Sequence, residues 1–182
     1  MTLLVAIDLQ HVFADPESPW ASGEFARAAD GTRRLLPVFG ERVVTTRFAA
    51  PAEPAGAWIP YYRDWPFALV PGSDRLYELV PGFEGHRTLT ATTFGKWGPE
   101  LEALLDGGPR ELVLTGVSTD CCVLSTALAA ADAGVHVRVV ADACAGASET
   151  DHRRALDAMA LYAPLITLTT VDEVLAGVQD RG

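Results

Sequence analysis

No stretch of 18 consecutive apolar residues occurs in this 182-residue chain, which leaves no candidate for a membrane-spanning helix. Cations are few and scattered, with 14 Lys and Arg against 24 Asp and Glu and a formal net charge of −10. Proteins that grip a phosphate backbone cluster their Lys and Arg. Here the doublets Arg33-Arg34 and Arg153-Arg154 read as solvated helix faces, so no nucleic-acid partner is expected. Only three cysteines are present, and Cys121 and Cys122 are adjacent. That is a poor disulfide framework, and it points to a reducing cytoplasm. The histidines, His11, His86, His136 and His152, show no ligand spacing, and no CxxC occurs, so neither a metal nor another cofactor is expected. A GxSxG serine-hydrolase signature, a P-loop and a GxGxxG after a strand are also missing.

What is present is an apolar share of 49%, enough for one compact domain over residues 1–182. Short, nearly continuous runs rich in Val, Leu and Ile recur at Thr2–Ile7, Arg42–Thr46, Glu111–Thr115, Val135–Ala141 and Leu165–Thr169, with a further strand at Arg87–Thr90. Runs of this kind suit strands buried on both faces of a parallel sheet. The first meets Asp8 without a basic start and reads as a strand rather than a secretory signal. Helices are expected at Gly23–Phe39, Pro99–Leu105, Asp120–Ala133, Thr150–Leu161 and Val171–Val178, with Gly134 as a left-handed cap and Ser148 opening the fourth. The alternation predicts an α/β protein, a three-layer α/β/α sandwich around a mostly parallel, Rossmann-like sheet of about six strands. One segment breaks the rhythm: Phe48 to Asp74 holds five prolines, two tryptophans and two tyrosines. It is expected to be a long loop serving as a lid or an oligomer contact.

Ligands of open parallel sheets bind beyond the carboxyl ends of the strands. That rule singles out Asp8, Gln10, Arg47, residues 90–98, Gly116 to Cys122 and Asp142 to Ser148. A partly desolvated carboxylate such as Asp8 suits a general base, and it equally suits a cap of the next segment. Gly116 to Val123 sets a cysteine in the first turn of a helix, where free N–H groups favour a thiolate and can hold an oxyanion. A buried, inert thiol is the competing explanation.

Together these residues resemble the isochorismatase-like cysteine hydrolase superfamily, whose members include nicotinamidases, carbamoylsarcosine amidases and isochorismatases. Asp8, Gln10 and Phe13 match its Asp-x-Gln-x-x-Phe pattern, and Gly116 to Ala127 matches G-V-x-T-D-x-C-V-x-x-T-A, with Cys122 at the nucleophile position. The resemblance covers nearly the whole chain. It implies a small-molecule hydrolase in which Cys122 attacks an amide carbonyl, Asp8 takes the thiol proton, and the N–H groups of Ser118 and Cys122 form an oxyanion hole. It also implies a cis peptide at Val117–Ser118 and a homo-oligomer.

The chain departs from the family at its lysine. The two alignments of the lysine-bearing run place it at Ala91 or Thr88, neither of them a cation. Lys96 lies on the same connection and is taken as the third catalytic residue, with Arg87 a poorer substitute. The substrate-binding candidates are Gln10, Phe13, Trp20, Arg47 and Trp97, with Trp58, Tyr61 and Trp65 as further wall residues. No histidine follows the second strand, which disfavours a nicotinamidase-type metal site. Two other functions remain open: a non-catalytic small-molecule-binding or scaffold protein, and a vinyl-ether hydrolase acting on an isochorismate-like acid.

Overall fold

A computed structural model describes residues 2–105 and 110–179. Six strands, β1 (Thr2–Ile7), β2 (Val43–Phe48), β3 (Arg87–Ala91), β4 (Glu111–Val117), β5 (His136–Ala145) and β6 (Ile166–Thr169), form one sheet in the order β3-β2-β1-β4-β5-β6. Every pairing is parallel. The helices are α1 (His11–Ala14), α2 (Phe25–Phe39), α3 (Trp58–Asp64), α4 (Pro99–Ala103), α5 (Leu124–Asp132), α6 (Glu149–Ala160) and α7 (Val171–Gln179). The three-layer sandwich expected from the alternating runs is therefore present.

The layers follow from which residues each strand turns to each face. Leu3, Val5 and Ile7 of β1 pack with Leu112 and Leu114 of β4 against Leu101, Ala127 and Met159 on α4, α5 and α6. Leu4 and Val113, facing the other way, pack with Leu35, Phe39 and Val174 on α2 and α7. On α2 the buried positions Ala28, Gly31, Thr32, Leu35 and Phe39 recur at three- and four-residue steps, the spacing of one helix face. Gly31 lies where α2 crosses β5, and a Cβ there would meet Ala143 Cβ at 3.0 Å. The absent side chain lets helix and sheet approach closely.

Two central strands, β1 and β4, lie side by side, and the chain leaves them for opposite faces: β1 leads to α2, β4 to α5. This is the switch point at which doubly wound sheets open a crevice. Gly116 sits in it with φ +107°, and a Cβ would fall 2.0 Å from the Ile7 carbonyl oxygen. No side chain fits between the two strand ends, so the residues after each are brought together.

Several expected boundaries are corrected. The strand expected to end at Ala141 continues to Ala145, because the register shifts between Leu114 and Gly116 and lets β5 pair further, Gly116 opposite Cys144 and Val117 opposite Ala145. Asp142 and Cys144 therefore lie within a strand and not beyond one. The helix expected from Asp120 begins instead as a wider π-turn, Thr119–Val123, and becomes α-helical only at Leu124. Gly134 does close it, at φ +77°, and Ser148 does cap α6, its Oγ accepting from the Asp151 N–H at 3.1 Å. The segment 48–74 is not a plain loop: it contains α3, with Pro60 in the first turn, where a missing N–H breaks no helical hydrogen bond. Among the described residues no helix is long and apolar enough to cross a membrane.

Candidate active site

Asp8 follows β1 directly, fully buried, in the left-handed conformation (φ +50°), an uncommon state for a residue with a side chain. Thr46 on the neighbouring strand β2 holds it from two sides. The Asp8 N–H donates to Thr46 Oγ1 at 3.2 Å, and the Thr46 hydroxyl donates to Asp8 Oδ1 at 2.6 Å. The other carboxylate oxygen faces Lys96, whose Nζ stands 2.9 Å from Oδ2. Both side chains are buried, at 0% and 1% exposure, so this pair is not screened as a surface pair would be.

Lys96 reaches this position from the connection after β3. Its Nζ also donates to the Thr93 carbonyl at 2.8 Å and lies 5.3 Å from the centre of the Phe48 ring. Its backbone N–H donates to Thr126 Oγ1 at 2.9 Å, and the Thr126 hydroxyl donates to the Cys122 carbonyl at 2.6 Å. One threonine thus ties the lysine segment to the cysteine turn. Ala91, at one of the two aligned lysine positions, ends β3 opposite Phe48, while Thr88 is exposed on the same edge strand. The ammonium beside Asp8 is that of Lys96.

Cys122 is buried in the π-turn after β4. Burial pushes its thiol well above the ordinary range; the negative charge of Asp8 and a hydrogen bond to it add to the rise, while Lys96 and the Ser118 N–H oppose it. The resting sulfur is therefore a neutral thiol with a carboxylate and a backbone N–H around it. The Val117–Ser118 peptide is cis. The Ser118 hydroxyl is bound to Asp120 Oδ1, and the same oxygen accepts from the Ala147 N–H at 2.9 Å. Asp120 thereby joins the cysteine turn to the end of β5, and a Cβ on Gly146 would lie 2.7 Å from it. The other thiols sit differently. Burial and then Asp120 raise Cys121 to about 11, and burial raises Cys144 to about 12.

Above Cys122 opens a cavity of about 450 Å³. Ser118, Cys121 and Cys122 form one side, and aromatic residues from three parts of the chain form most of the rest, with Pro19, Ala21 and Ala147. Trp20 is central to them, its ring 5.1–6.3 Å from those of Phe13, Phe48, Tyr61, Trp65 and Phe67. Phe94, two residues before Lys96, packs on Trp58 at 5.1 Å and Tyr61 at 5.8 Å. The proline-rich segment thus walls the cavity of its own chain.

Of the expected substrate contacts, Phe13 and Trp20 line this cavity and three residues do not. Gln10 is fully buried and spends its amide on the backbone: Nε2 donates to the Phe48 and Tyr77 carbonyls at 2.9 and 2.7 Å, and Oε1 accepts from the Phe48 N–H at 2.8 Å. Arg47 is likewise engaged, donating to the Tyr77 carbonyl at 2.9 Å and the Gly72 carbonyl at 2.7 Å. Trp97 packs against the α4–α5 side of the core, with the Arg110 guanidinium 5.8 Å from its ring. Sequence reasoning missed Thr46, Thr126 and Phe94; Thr126 alone carried a signal, as the threonine of the cysteine motif. Among the described residues no group of three or more His, Cys, Asp or Glu could hold a metal ion.

The Isochorismatase domain family matches residues 2–172. The chain belongs to the isochorismatase family. Isochorismatase domain-containing protein 2 of Xenopus laevis is 41% identical over 80 residues, covering 43% of this chain and 39% of that protein. The match thus spans about two fifths of the curated relative's length. The fold recurs in a cysteine hydrolase from Pseudomonas syringae pv. phaseolicola (TM-score 0.84, 17% identity, 98% of this chain and 92% of the other). It recurs also in N-carbamoylsarcosine amidase from Thermoplasma acidophilum (TM-score 0.73, 21% identity, 94% and 96% covered).

Proposed function

We propose that this isochorismatase-family protein is a cysteine-dependent hydrolase of a small molecule, cleaving an amide-type C–N bond through a thioester. The observation that carries the reading is the buried Asp8–Lys96 pair beside the Cys122 thiol at the base of an aromatic cavity. Fold alone would not suffice, since one fold hosts many chemistries. That a cysteine hydrolase and an amidase share the fold is consistent with it.

In this mechanism Asp8 takes the proton from Cys122 Sγ as the sulfur attacks the substrate carbonyl, so no free thiolate accumulates. The Ser118 and Cys122 N–H groups receive the oxyanion of the tetrahedral intermediate. As the intermediate collapses, the C–N bond breaks and the proton on Asp8 passes to the leaving nitrogen. Water then gives a proton to Asp8 and attacks the thioester, releasing a carboxylic acid and restoring the thiol. Lys96 holds Asp8 in place and offsets the negative charge that builds beside it.

A panel of amides and ureas tested on wild-type and Cys122→Ala protein is the check. Turnover of at least one compound by the wild type, falling to background in Cys122→Ala, supports the reading. Equal turnover by the two proteins contradicts it.

A further inference from the structure

Resting on that reading, we infer that the substrate is an amide whose acyl part is flat, apolar and uncharged, and that the cavity rejects acyl parts bearing a carboxylate. Trp20, Phe48, Tyr61, Trp65 and Phe94 present ring faces and edges, and among the described residues none that lines the cavity carries a charge. The lining residues with polar groups are Trp20, Tyr61, Trp65, Ser118, Cys121 and Cys122, none of them a charged residue type. Burial keeps the Tyr61 hydroxyl neutral by pushing its pKa far above 10, so it is a donor and not an anion.

A carboxylate taken from water into such a cavity needs a partner. Arg47, the residue expected to supply one, is held by the Tyr77 and Gly72 carbonyls outside the cavity. Arg27 is held by the Asp142 and Cys144 carbonyls at 2.8 and 3.1 Å. Lys96 is matched by Asp8 and lies beneath the sulfur, where the scissile group and not the rest of the substrate belongs. A carboxylate on the acyl part of the ligand would thus face aromatic walls and the field of Asp8 with nothing to balance it. A volume of about 450 Å³ lies within the range of small-ligand sites, about 300–1,000 Å³, and suits one or two rings. The same features speak against an isochorismate-like acid.

The test uses two ligands of matched shape and different charge, 4-nitrobenzamide and 4-carbamoylbenzoate, titrated calorimetrically into Cys122→Ala protein. The neutral amide is expected to bind at least 100-fold more tightly. Equal or tighter binding of the anion, or no binding of the neutral amide, overturns the inference. Ala147 lies exposed on the cavity rim, and Ala147→Lys should raise the affinity for 4-carbamoylbenzoate relative to 4-nitrobenzamide at least 10-fold. The absence of that gain contradicts the charge argument. Turnover separates the two claims: a neutral amide that binds but is not hydrolysed, or is hydrolysed equally without Cys122, removes the cysteine-hydrolase reading and leaves the binding preference standing.

Discussion

Asp8→Asn is expected to lower turnover by about 10²–10⁴-fold, the range for loss of a positioned general base, and at the same time to lower the pKa of Cys122. The signs oppose each other for one reason. The negative charge of Asp8, and the hydrogen bond between thiol and carboxylate, both favour the protonated sulfur. Asparagine removes the charge, while Lys96 and the Ser118 N–H still favour the thiolate. Alkylation of Cys122 at fixed pH should therefore quicken in the variant that has lost catalysis. A merely structural role for Asp8 predicts the change in Cys122 pKa without the loss of turnover, and its backbone bond to Thr46 is kept by asparagine. The pH dependence of iodoacetamide labelling, followed by peptide mapping, reads the pKa, and a turnover assay reads the loss of catalysis. An unchanged or raised Cys122 pKa would sink the assignment.

Lys96→Met should be the costliest substitution for stability. It leaves a fully buried carboxylate with no cation beside it and loses the contact to Phe48. Breaking one side of a buried ion pair typically costs about 3–5 kcal/mol, more than a surface pair contributes in total. Turnover should fall as well, because Lys96 opposes the rise in the thiol pKa. The double variant Asp8→Asn/Lys96→Met separates the two effects. Stability should recover in part, since no uncompensated charge remains, while activity should not. Urea unfolding of the four proteins measures this; a stability loss in Lys96→Met below about 1 kcal/mol, the level of a surface pair, would contradict a tight buried pair.

Much of this arrangement is written in local pattern. Thr2–Ile7 is a continuous apolar run that stops at a carboxylate, and a parallel sheet buried on both faces produces that sequence. Gly116 to Ala127 combines a strand end, a glycine that admits no Cβ and a cysteine. Lys96 was legible as a residue but not as a position, because its reach depends on how the 92–98 connection folds back onto α5 through Thr126. Thr46 resembles any buried threonine in a sequence; only its partner across the sheet distinguishes it. Gln10 and Arg47 misled for the converse reason. Both stand near the strand ends where ligands bind, yet both satisfy backbone carbonyls that the irregular segment after β2 leaves without sheet partners. The prolines of that segment hid α3, since Pro60 falls at one of the few helical positions that tolerates it.

The most direct test of the account is to catch the covalent intermediate. Wild-type protein mixed with a turned-over amide, quenched in acid within its first turnovers and examined by intact and peptide mass spectrometry, should carry the acyl mass on the Cys122 peptide. The adduct should be released by hydroxylamine, as a thioester is, and absent in Cys122→Ala. Acyl mass on Cys121 or Cys144, or turnover with no adduct under rapid quench at saturating substrate and with activity retained in Cys122→Ala, would contradict it.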